Sequence, residues 1–163
     1  MALGTLFGTI HSDSLGLLQE SVTVHPAPPN EEIIPIGGAD GAVDISDEPA
    51  GWVTFGQHKI DWVFSVKDGP DWPTVRTRVA NAINGLRCHI TLDEDPDYYY
   101  DGRITVNDFK LDAGLQRITV TAKCQPYKLK QTGIAIEKDI PAEPNYAEFI
   151  LENNGRRPEV PTL

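Results

Sequence analysis

Cys88-His89-Ile90-Thr91-Leu92-Asp93-Glu94-Asp95-Pro96-Asp97-Tyr98-Tyr99-Tyr100-Asp101-Gly102-Arg103 is the stretch whose reading decides the fold. Its first five residues alternate in polarity, the period of a strand whose side chains point to opposite faces in turn. An acidic, tyrosine-rich knot with one proline follows, and Ile104-Thr105-Val106 resumes the alternation. Ile118-Thr119-Val120-Thr121-Ala122 repeats the pattern and runs into Lys123-Cys124-Gln125-Pro126-Tyr127-Lys128. Strands separated by turn residues, with no helix between them, predict antiparallel pairing.

The rest of the chain extends this reading. Gly4, Gly8 and Gly16 punctuate the start, and Ser21-Val22-Thr23-Val24-His25 reads as a strand stopped by Pro26, Pro28 and Pro29, because proline cannot donate to a ladder. Glu31 to Ile36 reads as a short strand, Gly37-Gly38-Ala39-Asp40-Gly41 as a tight turn, and Ala42 to Ser46 as renewed alternation. Period two also holds from Gly51 to Val66: Trp52, Thr54 and Gly56 oppose Val53 and Phe55, and Ile60, Trp62, Phe64 and Val66 share a face.

One segment has helical spacing. Asp71-Trp72-Pro73-Thr74 is a start signal, with proline at home in a first turn. Val75, Val79, Ala82, Ile83 and Leu86 recur at three and four residues, so a helix over about Thr74 to Leu86 should bury Val75, Val79, Ile83 and Leu86. Gly85 is the expected C-terminal stop. One helix among seven or more strands predicts a mainly β protein, an antiparallel β-barrel or sandwich with the helix closing one end or face. After Lys130 the character shifts. Thr132 to Lys138 reads as a strand, Asp139 to Asn145 as an extended linker, Tyr146 to Glu152 as a strand and Asn153-Asn154-Gly155 as a turn. The expected division is a main domain over 1–140 and a linker with a strand over 141–163.

Bulk properties narrow the function. The 163 residues carry 40% hydrophobic and 23% charged side chains, values of a globular domain with a real core. A net charge of −10 makes a poor polyanion binder, since phosphate contacts need clustered lysine and arginine. Cys88 and Cys124 lie in strand-like segments, where small buried apolar roles are expected in preference to a disulfide. No run approaches the roughly 20 apolar residues of a membrane helix, and the segment after Met1 lacks the basic region of a secretion signal.

Catalytic and ligand motifs are weak throughout. Asp93, Asp95 and Asp97 mimic the first three ligands of a calcium loop, but Tyr98 stands where glycine belongs and no glutamate closes the loop. A glycosidase needs carboxylates on opposite sides of a cleft, which one turn does not supply. His11, His25, His58 and His89 lack zinc spacing, and Gly37 to Gly41 lacks the lysine that would follow in a phosphate loop. No metal, cofactor or catalytic residue is therefore expected. Arg76, Arg78, Arg87 and Arg103 are expected to pair with carboxylates within the fold or across a subunit boundary. Tyr98, Tyr99 and Tyr100 cannot all face one core, so at least one should meet solvent or a partner. A partner surface and a sugar-stacking surface both fit that reading.

Five blocks, in order, resemble the ring-forming N-terminal domain of the distal tail protein of long-tailed, siphovirus-type phages. Phe7-Gly8 through Ser14-Leu15-Gly16 is similar to the family's opening strand and turn. Glu32 to Ser46 is similar to its "IPGRDGxxDLS" loop, with Gly38-Ala39 where the family often carries an arginine. The helix with Gly85 fits its "L-x-N-x-x-x-G", Asp95 to Arg103 its "DDPxxYYxGR", and Cys124-Gln125-Pro126-Tyr127-Lys128 its "CxPYK". Tyr146 to Leu163 resembles the first strand and turn of the galectin-like second domain that many members carry.

The resemblance implies a tail-tube-like β-barrel unit, six copies of which form a ring at the tail tip. It implies tube protein on one side, tail hub or fibre proteins on the other, and DNA only in transit. The expected location is the virion, with assembly in the host cytoplasm. The resemblance implies no enzyme, and an acidic surface suits a channel that should repel phosphate. The candidate assembly interface comprises Tyr98, Tyr99, Tyr100, Arg103, Arg76 and Arg78. The rival expectation, of another class, is a tail-associated carbohydrate-binding or hydrolytic module using Asp93, Asp95, Asp97 and the tyrosines.

Overall fold

A computed structural model describes residues 3–38, 40–66, 71–112 and 114–132, all within one compact unit, Met1–Thr132. The strands expected at Thr132 to Lys138 and Tyr146 to Glu152, and the boundary near residue 140, lie outside the described residues. The described part is mainly antiparallel β with one α-helix. In chain order the strands are β1 (Thr5–Phe7), β2 (Ile10–His11), β3 (Leu17–His25), β4 (Ile33–Pro35), β5 (Ala42–Asp44) and β6 (His58–Val66). The helix α1 (Trp72–Ile83) follows, then β7 (Arg87–Leu92), β8 (Tyr98–Asp112), β9 (Leu115–Cys124) and β10 (Leu129–Lys130).

One large sheet has the order β2-β1-β7-β8-β9-β6-β3, with β10 added to the start of β8. Its two edge strands, β2 and β3, are neighbours in sequence, joined by a 3-10 turn at Ser12–Leu15. A connection that short requires the sheet to curl until its edges approach. Side chains confirm the curl. Phe7 of β1 meets Trp62 of β6 edge-on at 5.5 Å between ring centroids, although three strands separate β1 from β6 in the sheet. Trp62 Nε1 donates to Thr5 Oγ1, which donates to Gln19 Oε1 of β3, so the buried polar atoms between the two flanks satisfy one another. No β2–β3 ladder closes the sheet among the described residues, so the architecture is a curled sandwich rather than a closed barrel.

The alternation read from sequence sets which side chains fill the interior. Ile60, Trp62 and Phe64 of β6, Ile118, Val120 and Ala122 of β9, Ile104 of β8 and Ile90 of β7 are buried. The helix contributes Val75, Val79 and Ile83, the expected three- and four-residue stripe. Leu86 differs from expectation. The helix ends at Ile83, Asn84 caps it, and Gly85 turns the chain at φ +79°. Leu86 is only half-buried, and its carbonyl accepts from the Ile104 amide, so it belongs to the approach to β7 rather than to the helical stripe.

The segment Gly51 to Gln57 also departs from its period-two reading. It forms no strand apart from a single bridge between Pro29 and Phe55. Pro28 and Pro29 lie opposite it and have no N–H to donate, so only Gly56 N to the Pro28 carbonyl and Asn30 N to the Thr54 carbonyl persist. Beyond these bonds β4 and β5 pair with each other alone, Ile33 opposite Asp44 and Pro35 opposite Ala42. Residues 26–56 thus form an arm that continues from the edge pair β3 and β6.

Candidate assembly surface

The acidic knot is the turn between β7 and β8, and the descending chain after β9 ties it down. The β7–β8 ladder pairs Arg87 with Arg103, Cys88 with Gly102, His89 with Asp101 and Ile90 with Tyr100. Leu129 and Lys130 of β10 pair with Tyr99 and Tyr98. Lys128 Nζ donates to Asp95 Oδ2 at 2.6 Å and sits 4.2 Å from the Tyr98 ring centroid. The Gln125 amide donates to the Asp101 carbonyl and the Gln131 amide to the Asp97 carbonyl. The two blocks that the sequence singles out, Asp95 to Arg103 and Cys124 to Lys128, are therefore one clasp.

Three carboxylates of this segment, Asp93, Asp95 and Asp101, are committed within the chain. Asp93 accepts from the Gly4 amide at 2.8 Å and faces His11 Nε2 at 3.2 Å. The Asp13 amide donates to His11 Nδ1, which leaves the proton on the nitrogen that faces Asp93. Arg87 Nη2 donates to Asp101 Oδ2 at 2.8 Å, and that hydrogen bond holds the Asp101 carboxyl below its ordinary range. Lys128 thus answers Asp95 and Arg87 answers Asp101, while Arg103, expected as the nearest cation, donates instead to the Gly85 carbonyl at 2.7 Å. Arg103 sits on the outer face of β8, and the neighbouring peptide at the helix terminus captures its guanidinium.

Each tyrosine also has a partner inside the chain. Tyr98 and Tyr100 point to one side and Tyr99 to the other, as a strand dictates. Tyr100 stacks on His58 at 5.1 Å and packs against the core, while Tyr99 stacks on His89 at 4.1 Å on the outer face. The remaining site residues lie on α1. Arg76 lies over the Phe109 ring, 5.5 Å from its centroid, and Arg78 Nη2 donates to the Leu15 carbonyl at 2.7 Å. The helix arginines thus contact the Phe109 ring and the Leu15 carbonyl rather than a residue of the clasp.

Two further features were not legible in the sequence. Cys88, Gly102 and Cys124 form a row across β7, β8 and β9. A side chain at Gly102 would collide with Cys124 Sγ and come within 2.9 Å of the Lys123 carbonyl oxygen, so this strand glycine is there for close approach. Both cysteines are free; burial raises the Cys88 thiol and pushes Cys124 up to about 12, so they pack as small protonated side chains. On the outer face, Asn107 donates to Thr121 Oγ1, which donates to Asp61 Oδ1, and Asp61 also meets Lys59 at 2.8 Å and His25 at 2.9 Å. Burial raises the Asp61 carboxyl, but hydrogen bonds from Lys59, Thr121 and His25 bring it below its ordinary value. Among the described residues no three His, Cys, Asp or Glu side chains gather as a metal site, and no helix is long and apolar enough to cross a membrane.

No family model matches the chain, and no curated protein sequence does. Its fold, an antiparallel sheet curled over its core with one helix, is shared with a component of a phage adsorption apparatus. That component is SPP1 Dit (gp 19.1), whose crystal structure is described as a paradigm of the hub adsorption apparatus in Gram-positive infecting phages. The two superpose with a TM-score of 0.60 over 80% of this chain, at 18% sequence identity. The chain spans about half, 53%, of that protein, and at this identity the likeness is one of fold.

Proposed function

We propose that this chain is a structural protein of a phage tail tip, which self-associates into a ring, of six copies, joining the tail tube to hub or fibre proteins. The observation that carries the reading is the fold shared with SPP1 Dit over 80% of the chain. The five ordered sequence blocks point the same way, and two of them meet in space as the clasp. In this reading the chain works in the virion after assembly in the host cytoplasm, DNA passes through the ring, and the −10 charge keeps phosphate from adhering to its wall. Residues 1–140 would form the ring and 141–163 would begin a second domain or an arm. Tyr98, Tyr99, Tyr100, Arg103, Arg76 and Arg78 remain the proposed contact residues.

The hydrolytic alternative finds little support in the geometry. Asp93 and Asp95 are occupied by His11, Gly4 and Lys128, which leaves them poorly placed to flank a sugar. Native mass spectrometry of the protein, alone and with its tube partner, tests the reading. A closed hexamer is expected, and a monomer under both conditions would defeat it. Tyr99→Ala should weaken the ring more than it lowers the melting temperature, whereas Tyr98→Ala/Tyr100→Ala should do the reverse. Neither variant altering assembly, together with a glycan-cleaving activity abolished by Asp95→Asn, would establish the enzyme reading instead.

A further inference from the structure

The base of the arm is anchored by Phe55, edge-on to Tyr127 at 6.3 Å, but its β4–β5 tip has no packing that explains its composition. Every residue of β4 and β5 is exposed, and Ile33, Ile34, Ile36 and Val43 show 54%, 49%, 48% and 46% of their surface to solvent. A two-stranded ribbon is marginal in water by itself, and clustered apolar side chains on it mark a covered surface. The same arm carries Glu31, Glu32, Asp40, Asp44, Asp47 and Glu48 and not one lysine or arginine. Its occupant must therefore be both apolar and basic.

The helix surface of the same chain has that chemistry. From Trp72 to Leu86 there are two arginines and no acidic residue. Arg78 is held by the Leu15 carbonyl, Arg76 by the Phe109 ring, and Arg103 beside the helix terminus by the Gly85 carbonyl. A guanidinium held by a carbonyl or a ring keeps its full charge and free N–H groups for a carboxylate. Beside them an open groove of about 400 Å³ is lined by Pro73, Thr74, Thr77 and Arg78, where a proline ring and threonine methyls offer apolar contact.

We infer that the β4–β5 arm of one copy docks on the α1 face of a second copy, the cross-strand pair Ile34 and Val43 over the Pro73–Thr77 groove and its carboxylates on Arg76, Arg78 and Arg103. Arm and helix are different surfaces, so each contact leaves a free arm and a free helix. That is the heterologous geometry that closes into a ring. The inference rests on the proposed ring and names the contact that builds it.

Two full-length variants test it. In one, residues 31–46 are replaced by a short Gly-Ser turn; in the other, Arg76→Glu/Arg78→Glu reverses the helix charge. The loop replacement removes mostly exposed side chains and should melt close to the parent, whereas the helix reversal gives up the Arg78–Leu15 hydrogen bond and the Arg76–Phe109 contact and should melt a few degrees lower while staying folded. Should the loop replacement fail to fold, Ile34→Ser/Val43→Ser takes its place. Each variant alone should be a monomer by native mass spectrometry under conditions where the parent is a ring. Mixed, the arm-less protein supplies a helix and the helix-reversed protein an arm, so a 1:1 dimer and nothing larger should form. Rings of parental mass from either variant alone, or a mixture that stays monomeric, would overturn the inference while leaving the ring itself standing. A parent that never assembles would overturn both.

Discussion

Asp95 and Asp101 in the β7–β8 turn each meet a cation of their own chain at 2.8 Å or closer, whereas no lysine or arginine among the described residues pairs with a carboxylate of the arm. The turn is covered by β10, and its aromatic rings are stacked on histidines or a lysine. In the arm, five large apolar side chains, Ile33, Ile34, Ile36, Val43 and Trp52, stand in solvent, and Asp44 is answered among the described residues by Ser46. The two regions are both acidic, yet the turn has three of its carboxylates and its tyrosine rings partnered within the chain, whereas the tip of the arm has neither cations nor ring contacts among the described residues. Density of internal partners separates a segment that maintains the fold from one available to a second molecule.

The largest expected effect comes from a charge placed in the two environments in turn. Val79→Asp puts a carboxylate where the side chain has no solvent contact, costing several kcal/mol and lowering the melting temperature by about ten degrees. Val43→Asp, in the arm, should leave the melting temperature within about a degree, because an exposed site rehydrates the charge. Differential scanning fluorimetry on the pair suffices, and equal losses would show that the arm is packed after all.

Glycine replacement sharpens the same contrast. Gly102→Ala forces a methyl group into Cys124 Sγ and the Lys123 carbonyl, between two paired strands that cannot part easily. It should cost about 2 kcal/mol. Gly37→Ala in the arm meets nothing within 4 Å and should change stability by less than about 0.5 kcal/mol. Urea unfolding of both variants gives the two numbers on one scale.

Much of this contrast was hidden in the sequence for a definite reason. Period two placed Ile60, Trp62 and Phe64 inside, and Pro73 with Gly85 bounded the helix, because those signals are local. Pairing across the sheet is not local. Lys128, and not the adjacent Arg103, answers Asp95, since strand register carries Arg103 to the Gly85 carbonyl. Leu86 kept helical spacing yet fell past the Asn84 cap, and Trp52 to Phe55 kept strand spacing opposite two prolines. The turn and strands of the arm were readable, but Ile33, Ile34 and Val43 look in sequence like any half-buried strand. Only the absence of a facing sheet shows them to be exposed.

A smaller effect is expected at the clasp. Lys128→Gln removes a charge-assisted hydrogen bond between side chains that are each more than a third exposed, so solvent screening limits the loss to about 0.5–1 kcal/mol. Amide exchange at Gln125 and Gln131, which donate to the Asp101 and Asp97 carbonyls, should speed up with it. Exchange in the arm should not change. If it does, the clasp and arm are coupled and the contrast between them weakens.

The smallest effect is expected at the junction of the two regions. His58 opens β6 where the arm leaves the sheet, its ring stacks on Tyr100 of the clasp, and its buried Nε2 has no hydrogen-bond partner. Burial first, and the nearby His25 second, lower its pKa from 6.5. A base depressed on folding binds fewer protons in the native state than in the unfolded one, so stability rises with pH across the interval. The contribution of His58 is complete above about pH 6.5 and is lost as pH falls through the lower folded value. Asp61 and Asp101, whose values fall below 3.8, lose their contributions only in stronger acid, so the interval just below pH 6.5 isolates His58 from them. The ring is only partly shielded, so the slope should be shallow, roughly a degree of melting temperature between pH 7.5 and 5.5. His58→Asn removes the titrating group, and the difference between parent and variant should shrink by that amount across the interval. A constant difference would mean that His58 is charged or solvated in the folded chain, and that the arm and the clasp meet at an open hinge rather than through a buried stack.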